Sequence, residues 1–445
     1  MKRKRLLVVS VCLALIVAVV PFLAACPAPP APPAPPAPPA PPAPPAPPVI
    51  PASEQPLKYG MSICMTGVAA EKGSPMGHGK LDAIKYINEE LGGIDGHPID
   101  AIWYDNSYDA AKAATIVKRL MADGALFFTT NSSKMMASSM EIANRAEFPG
   151  IASFSSPVVT NPPKHMYAQM PDYGDDWAAF ANYYLANIWK GPGKPKMALH
   201  LLNNPTGSGA RNAALALADE LGIEIVADEE HTPVTISEME SMTRIKAANP
   251  DVLFISSTPA PTSVIIKNAY ELGMYPGIVI GTAHASFTKA LVDIAGADIV
   301  EGVYGVYGTS SWGEDVPGMA KMIEYANKLH PKDAGNLDYM FSWAEALIGA
   351  EILRLTLRAV GYDVLAKGDV ESWRATETLG IQKLDYDVEG LQSPVKYTAG
   401  DNRLGKFIKV FQIQGGKIVA ITDYIEAPRI PYEKYPEKFP WAVAK

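Results

Sequence analysis

Beyond residue 56 the apolar positions of the chain alternate between two periods. Short apolar runs at 58–65 (KYGMSICM), 99–104, 125–129, 197–202 and 223–227 predict strands. The stretches between them carry helical spacing. Leu81, Ile84, Ile87 and Leu91 share one helix face, and Gly92-Gly93 stops that helix. Residues 111–121 and 210–221 predict two further helices. Trp177, Phe180, Ala181, Tyr184, Leu185 and Ile188 follow the i, i+3, i+4, i+7, i+8, i+11 pattern of another. A βαβα rhythm of this kind predicts an α/β fold with parallel sheets covered by helices on both faces.

The pattern recurs. Residues 125–130 (ALFFTT) resemble 252–257 (VLFISS), and 148–151 (FPGI) resemble 275–278 (YPGI), both at an offset of 127. Each pair brackets a helix-like stretch, so the chain holds two similar strand–helix–strand units. Ligands of open parallel sheets bind at the carboxyl ends of the strands. Those ends carry small polar residues here: 129–133 with Ser155-Ser156 in one unit, and 256–258 with 282–284 in the other. Two such walls facing each other make a cleft.

The first 56 residues have another character. Lys2, Arg3, Lys4 and Arg5 precede an apolar run that ends in Leu23-Ala24-Ala25-Cys26. Charge before an apolar segment closed by small residues predicts a secretory signal over 1–25, and a transmembrane anchor is the plainer alternative. Residues 27–48 are almost entirely repeated Ala-Pro-Pro, which predicts a polyproline II spacer without a packed core. Removing the four leading positives takes the formal charge from −8 to −12. An acidic body without a long basic run excludes nucleic acid as a partner. Three cysteines, Cys12, Cys26 and Cys64, are too few for a disulfide scaffold.

Leu-Ala-Ala-Cys resembles the bacterial lipoprotein box, which implies that Cys26 carries lipid and becomes the first mature residue. The body resembles the leucine/isoleucine/valine-type solute-binding proteins of ABC importers. The most specific stretch is 90–114, ELGGIDGHPIDAIWYDNSYDAAKAA, and Met65-Thr66-Gly67, Ser393-Pro394-Val395 and Asp401-Asn402-Arg403 add to it. The resemblance implies the type I periplasmic-binding-protein fold, with two Rossmann-like lobes joined by three crossovers near Pro171, Val303 and Leu404. Lobe 1 would comprise 57–171 and 304–404, and lobe 2 would comprise 172–303 and 405–445, after a linker over 26–56. It also implies ligand contacts at Thr66 in the first loop, at Ser132 or Ser133, and at Ser156 with the Phe154 backbone. Thr206 stands where the family usually has a tyrosine, Thr258 and His284 belong to the strand ends that form the second wall, and Tyr304, Tyr307 and Trp312 either stack on a ligand or pack between the lobes.

Departures from the family pattern bear on the ligand. The second-lobe acid that neutralises an amino acid's ammonium has no counterpart in Gly281-Thr282-Ala283-His284. Lys72 stands where a first-loop aromatic is usual. A buried ammonium without an anion is costly, so these differences favour an organic carboxylate, aromatic ones included. The alternative is that an acid comes from elsewhere, with Glu71 and Asp105 as candidates. Asp172, Asp175 and Asp176 read as acids favouring a helix dipole. No metal, cofactor or catalytic motif is expected. The expectation is a monomeric, membrane-tethered, non-enzymatic binding protein that delivers an amino acid or related carboxylate to an ABC permease. A ligand-sensing receptor subunit on the same fold is the alternative.

Overall fold

The computed structural model describes residues 52–427 and 429–443. The expected signal, Cys26 and the Ala-Pro-Pro tract lie outside the described residues. The first lobe runs β1 (Leu57–Ile63), α1 (Ala70–Glu89), β2 (Ile99–Asp105), α2 (Ala110–Ala122), β3 (Phe128–Thr130), α3 (Ser133–Ala146), β4 (Gly150–Ala152), α4 (Pro157–Thr160) and β5 (Met166–Ala168). Its five strands are parallel, in the order β2-β1-β3-β4-β5.

The second lobe opens with α5 (Tyr173–Tyr183). It continues through β6 (Lys196–Leu202), α6 (Pro205–Leu221), β7 (Glu224–His231), α7 (Met239–Ala247), β8 (Val252–Ser256), α8 (Pro259–Glu271), β9 (Val279–Thr282), α9 (Lys289–Ala295), α10 (Ala297–Val300) and β10 (Tyr304–Tyr307). These strands lie in the order β7-β6-β8-β9-β10, the arrangement of the first sheet shifted by five. The repeat in the sequence is therefore one of topology. Residues 125–130 lead into β3 and 252–257 into β8, and each strand pairs in parallel with its successor.

The chain then returns to the first lobe through α11 (Met319–Leu329) and α12 (Leu337–Val360), which packs along α1. A small antiparallel pair follows, β11 (Asp385–Tyr386) with β12 (Val395–Lys396). The chain re-enters the second sheet as β13 (Phe407–Gln414), antiparallel to β10, with β14 (Lys417–Ala420) and β15 (Ile425–Glu426) beside it. One boundary needs correction. Tyr304 does not begin a return to lobe 1: β10 pairs with β9 and β13, so Tyr304–Tyr307 is part of the second sheet. The apolar pattern at 303–307 is that of another buried strand, and the chain leaves only after it.

Helix α1 also starts earlier than its apolar spacing suggests. Residues 70–80, with three glycines, are helical from Ala70. The glycines are needed for close approach rather than flexibility. A β-carbon at Gly73 would stand 1.8 Å from the Cys64 carbonyl oxygen, and one at Gly79 would stand 2.1 Å from that of Tyr339. Helix α1 can thus lie against both the β1 loop and α12. Below this contact a buried ion pair joins the two helices: Lys80 Nζ lies 2.7 Å from Glu345 Oε2. Ser153 donates to the same oxygen and Lys80 to Thr129 Oγ1.

The junction between lobes is built on Arg403. Its guanidinium, 5 % exposed, donates to Asp175 Oδ2 at 2.8 Å, to Asp401 Oδ2 at 2.9 Å and to the Ala427 carbonyl at 3.1 Å. Asp172 and Asp175 form the capping box that starts α5. Past β15 the chain crosses from one lobe to the other. Arg429 donates to Asn161 Oδ1 at 3.1 Å, Tyr432 packs with Phe439 and Trp441, and Lys438 donates to the Leu215 carbonyl at 3.2 Å.

Candidate functional site

The carboxyl ends of both sheets meet at a cleft in which a cavity of about 20 Å³ remains. That volume holds about one water molecule. Cys64, Lys72, Met76, Tyr108, Asn131, Ser132 and Phe154 line it from the first lobe; Tyr173, Thr206, Thr258 and Ala285 line it from the second. The walls touch directly. Ser133 Oγ lies 3.4 Å from Thr206 Oγ1, and Asn204 donates to the Tyr108 hydroxyl at 3.1 Å. Glu71 Oε1, in the first turn of α1, is buried without a hydrogen-bond partner.

The chain places its hydroxyls here for a local reason. Ser132 precedes α3, Ser156 precedes α4 and Thr258 precedes α8, each at an N-cap position, yet none makes a side-chain cap bond. A cap residue whose hydroxyl leaves its own helix is free for another partner. Ser156 Oγ and Thr258 Oγ1 are buried without one.

Aromatic rings form the rest of the cleft. Phe154 stacks on His284 at 4.7 Å and on Phe341 at 5.1 Å, and Tyr173 also stacks on His284, at 4.4 Å. Tyr307 meets Phe154 edge-on at 6.1 Å. Burial, and the nearby Lys72 charge, hold the His284 imidazole far below its usual range, so it is neutral.

Two charged features revise the reading of the ligand. Lys72 is not a free cation in a loop: it sits in the first turn of α1, buried, in an ion pair with Asp338 Oδ1. Asp338 also accepts from the Tyr307 hydroxyl at 2.7 Å. The second lobe does carry an acid. Asp176 accepts from the His284 N–H at 3.0 Å, and its Oδ2 stands 2.5 Å from His284 Nδ1, out of line for a hydrogen bond. Asp176 Oδ1, Asp338 Oδ2 and both His284 ring nitrogens have no hydrogen-bond partner. Burial drives the Asp176 carboxyl well above its normal range, the sign of a carboxylate short of a cation.

Of the residues singled out from sequence, Lys72, Ser132, Phe154, Thr206 and Thr258 border the cavity. Ser133, Ser156 and His284 stand immediately behind its walls. Thr66 is exposed at the rim, its hydroxyl 2.5 Å from Asp105 Oδ2, which commits Asp105 to that loop. Tyr304 packs on Phe180 and Tyr183, away from the cavity. Sequence reasoning missed Tyr108, Tyr173, Asp338 and Phe341; Tyr307, weighed with Tyr304 and Trp312 as stacking on a ligand or packing between the lobes, meets Phe154 in the cleft. Asp176 was visible as part of an acidic cluster, but Asp172 and Asp175 alone serve the helix cap, and nothing local distinguishes the third acid.

Residues 56–417 match the family model described as "Periplasmic binding protein". A curated relative, the Leu/Ile/Val-binding protein homolog 7 of Brucella suis, is 22 % identical over 331 residues, which is 71 % of this chain and 80 % of the relative. Two solved structures share the fold. A branched chain amino acid ABC transporter protein of Thermus thermophilus with bound valine gives a TM-score of 0.74 at 18 % identity, covering 85 % of this chain and 98 % of that one. A fatty acid ABC transporter substrate-binding protein of Thermomonospora curvata gives 0.73 at 18 % identity, covering 85 % and 95 %. With two duplicated lobes closing on a polar, aromatic-walled cleft, and a family match across most of its length, the chain belongs to the periplasmic binding protein family.

Proposed function

We propose that this protein is the extracytoplasmic solute-binding component of an ABC importer, held to a membrane through lipidated Cys26, and that its solute is an amino acid with an apolar side chain. The observation carrying the ligand class is Asp176, a fully buried second-lobe carboxylate with one oxygen unpartnered. A ligand ammonium supplies the missing donor there, while Ser132, Thr206 and Thr258 offer hydroxyls to a carboxylate and the aromatic walls take an apolar side chain. The case for an ammonium-free organic acid rested on a missing acid and a free Lys72, and neither holds. In this reading the solute enters with the lobes apart and holds them closed around itself, in an arrangement wider than the present contact of the walls, which a permease recognises. No bond in the solute is made or broken.

Calorimetry with isoleucine, glutamate, benzoate and succinate tests the ligand class. Isoleucine binds and benzoate does not, and Asp176→Asn weakens isoleucine by about 10- to 100-fold, the worth of a hydrogen bond to a charged group. Binding of benzoate with no amino acid bound at all refutes the reading.

A further inference from the structure

The ammonium of Lys72 is surrounded as a ligand would be. It lies 4.2 Å from the centroid of Phe154 and 5.8 Å from that of Tyr307, and it is paired with Asp338. Asp338 is completely buried and is held by Tyr307, whose ring belongs to the second sheet, so the box is assembled from both lobes. Its second oxygen has no partner. Aromatic faces with a carboxylate at one side make a general recognition site for alkylammonium groups. Here the occupant is covalently attached through α1.

We infer that Asp338, Phe154 and Tyr307 form an ammonium subsite within the ligand cleft, and that Lys72, by filling it, is the specificity-determining residue that denies this subsite to a cationic solute side chain. The inference rests on the solute-binding reading only for its consequence. The subsite itself is a property of the folded chain. The lysine contributes four roles at once: it supplies the charge Asp338 needs, covers the aromatic faces, fills volume beside the cavity, and repels a second cation brought by a solute. The wild-type cleft therefore selects solutes whose only cation is the one Asp176 receives. With Lys72 shortened, the vacated box accepts a free ammonium of matching reach.

Chemical rescue tests this. Lys72→Ala removes the atoms that n-propylammonium contains, and Lys72→Ser is made alongside as a variant with a more hydrophilic hole. Thermal unfolding is followed with propylammonium chloride, sodium chloride or 1-propanol. Propylammonium raises the unfolding midpoint of Lys72→Ala or Lys72→Ser in a saturable manner, or is required for either to fold. It leaves wild type and Lys72→Ala/Asp338→Asn unchanged, and neither sodium chloride nor propanol substitutes for it. In the rescued background without propylammonium, lysine gains at least about tenfold in affinity over isoleucine relative to wild type. Absence of rescue in both variants, or failure of both to fold with and without propylammonium, overturns the subsite. Equal rescue in the Asp338→Asn background does the same. Rescue in a protein that binds no amino acid leaves the subsite standing and defeats the transport reading instead.

Discussion

Replacing Glu345 by Gln isolates the energetics of the buried pair between α1 and α12. The side chains of Lys80 and Glu345 are each 1 % exposed. Glutamine keeps an acceptor for Ser153 but removes the counter-charge. Burial already pulls the Lys80 ammonium below its ordinary range, and the Glu345 charge is what opposes that pull. Without it Lys80 sheds its proton in the folded state. Deprotonating a lysine of ordinary pKa, about 10.4, at pH 7 costs roughly 4.6 kcal/mol, which caps the loss and agrees with the ~3–5 kcal/mol expected for breaking a buried pair. Unfolding about 390 residues carries an entropy near 0.8 kcal/mol/K, so the midpoint falls by about 4–6 °C at pH 7. The unfolded state then binds one proton more than the folded state, so stability rises with pH by ~1.4 kcal/mol per unit. By pH 9 the deficit shrinks to about 2–3 °C. Lys80→Met/Glu345→Leu, which removes both charges, stays near wild type at either pH. Calorimetric melts of the three proteins at pH 7 and 9 decide the matter. A deficit as large at pH 9 as at pH 7, or below ~1 °C at both, refutes the argument.

Three further outcomes follow from the same physics. Arg403→Met strands Asp172 and Asp175, whose folded carboxyls burial already raises above their unfolded values; it costs ~3–5 kcal/mol at pH 7.5, and because protonation relieves a raised carboxyl the deficit narrows as pH falls toward 4, as urea titrations at the two pH values will show. His231 is pulled down to about 3 by burial and by His200, so the unfolded chain binds a proton there first and wild type loses stability as pH drops below about 6.5. His231→Gln flattens that acid limb in melts between pH 6.5 and 4. Gly79→Val drives a side chain into the Tyr339 carbonyl and lowers stability by ~1–3 kcal/mol or more, read by circular dichroism.

The alternation of strands and helices was legible because parallel strands buried on both faces read as short unbroken apolar runs. The 127-residue offset located β3 and β8, the central strands of the two five-strand parallel runs. The strand at 304–307 was displaced into the wrong lobe because a crossover has no composition of its own. Residues 303–307 read as a buried strand, but which sheet that strand joins is decided only in space, by its pairing with β9 and β13. The hydroxyl half of the cleft was accessible, since N-cap serines and threonines at strand ends announce themselves. The charged half was not. Asp338 comes from a helix more than 260 residues away from Lys72, and Asp176 sits one position from an acid that serves a cap. Charge pairing across such distances leaves no local signal.

The terminal stretch from Arg429 to Val443 lies beyond the family match and is tied to both bodies, through Arg429 to Asn161 on one and through Lys438 to the Leu215 carbonyl on the other. Any hinge motion that separates those two points must lengthen the stretch or detach one end. It therefore acts as a built-in strain gauge: cleavage by a protease within it accelerates when the molecule gapes and slows when cargo holds it shut, giving a readout of gating that needs no label.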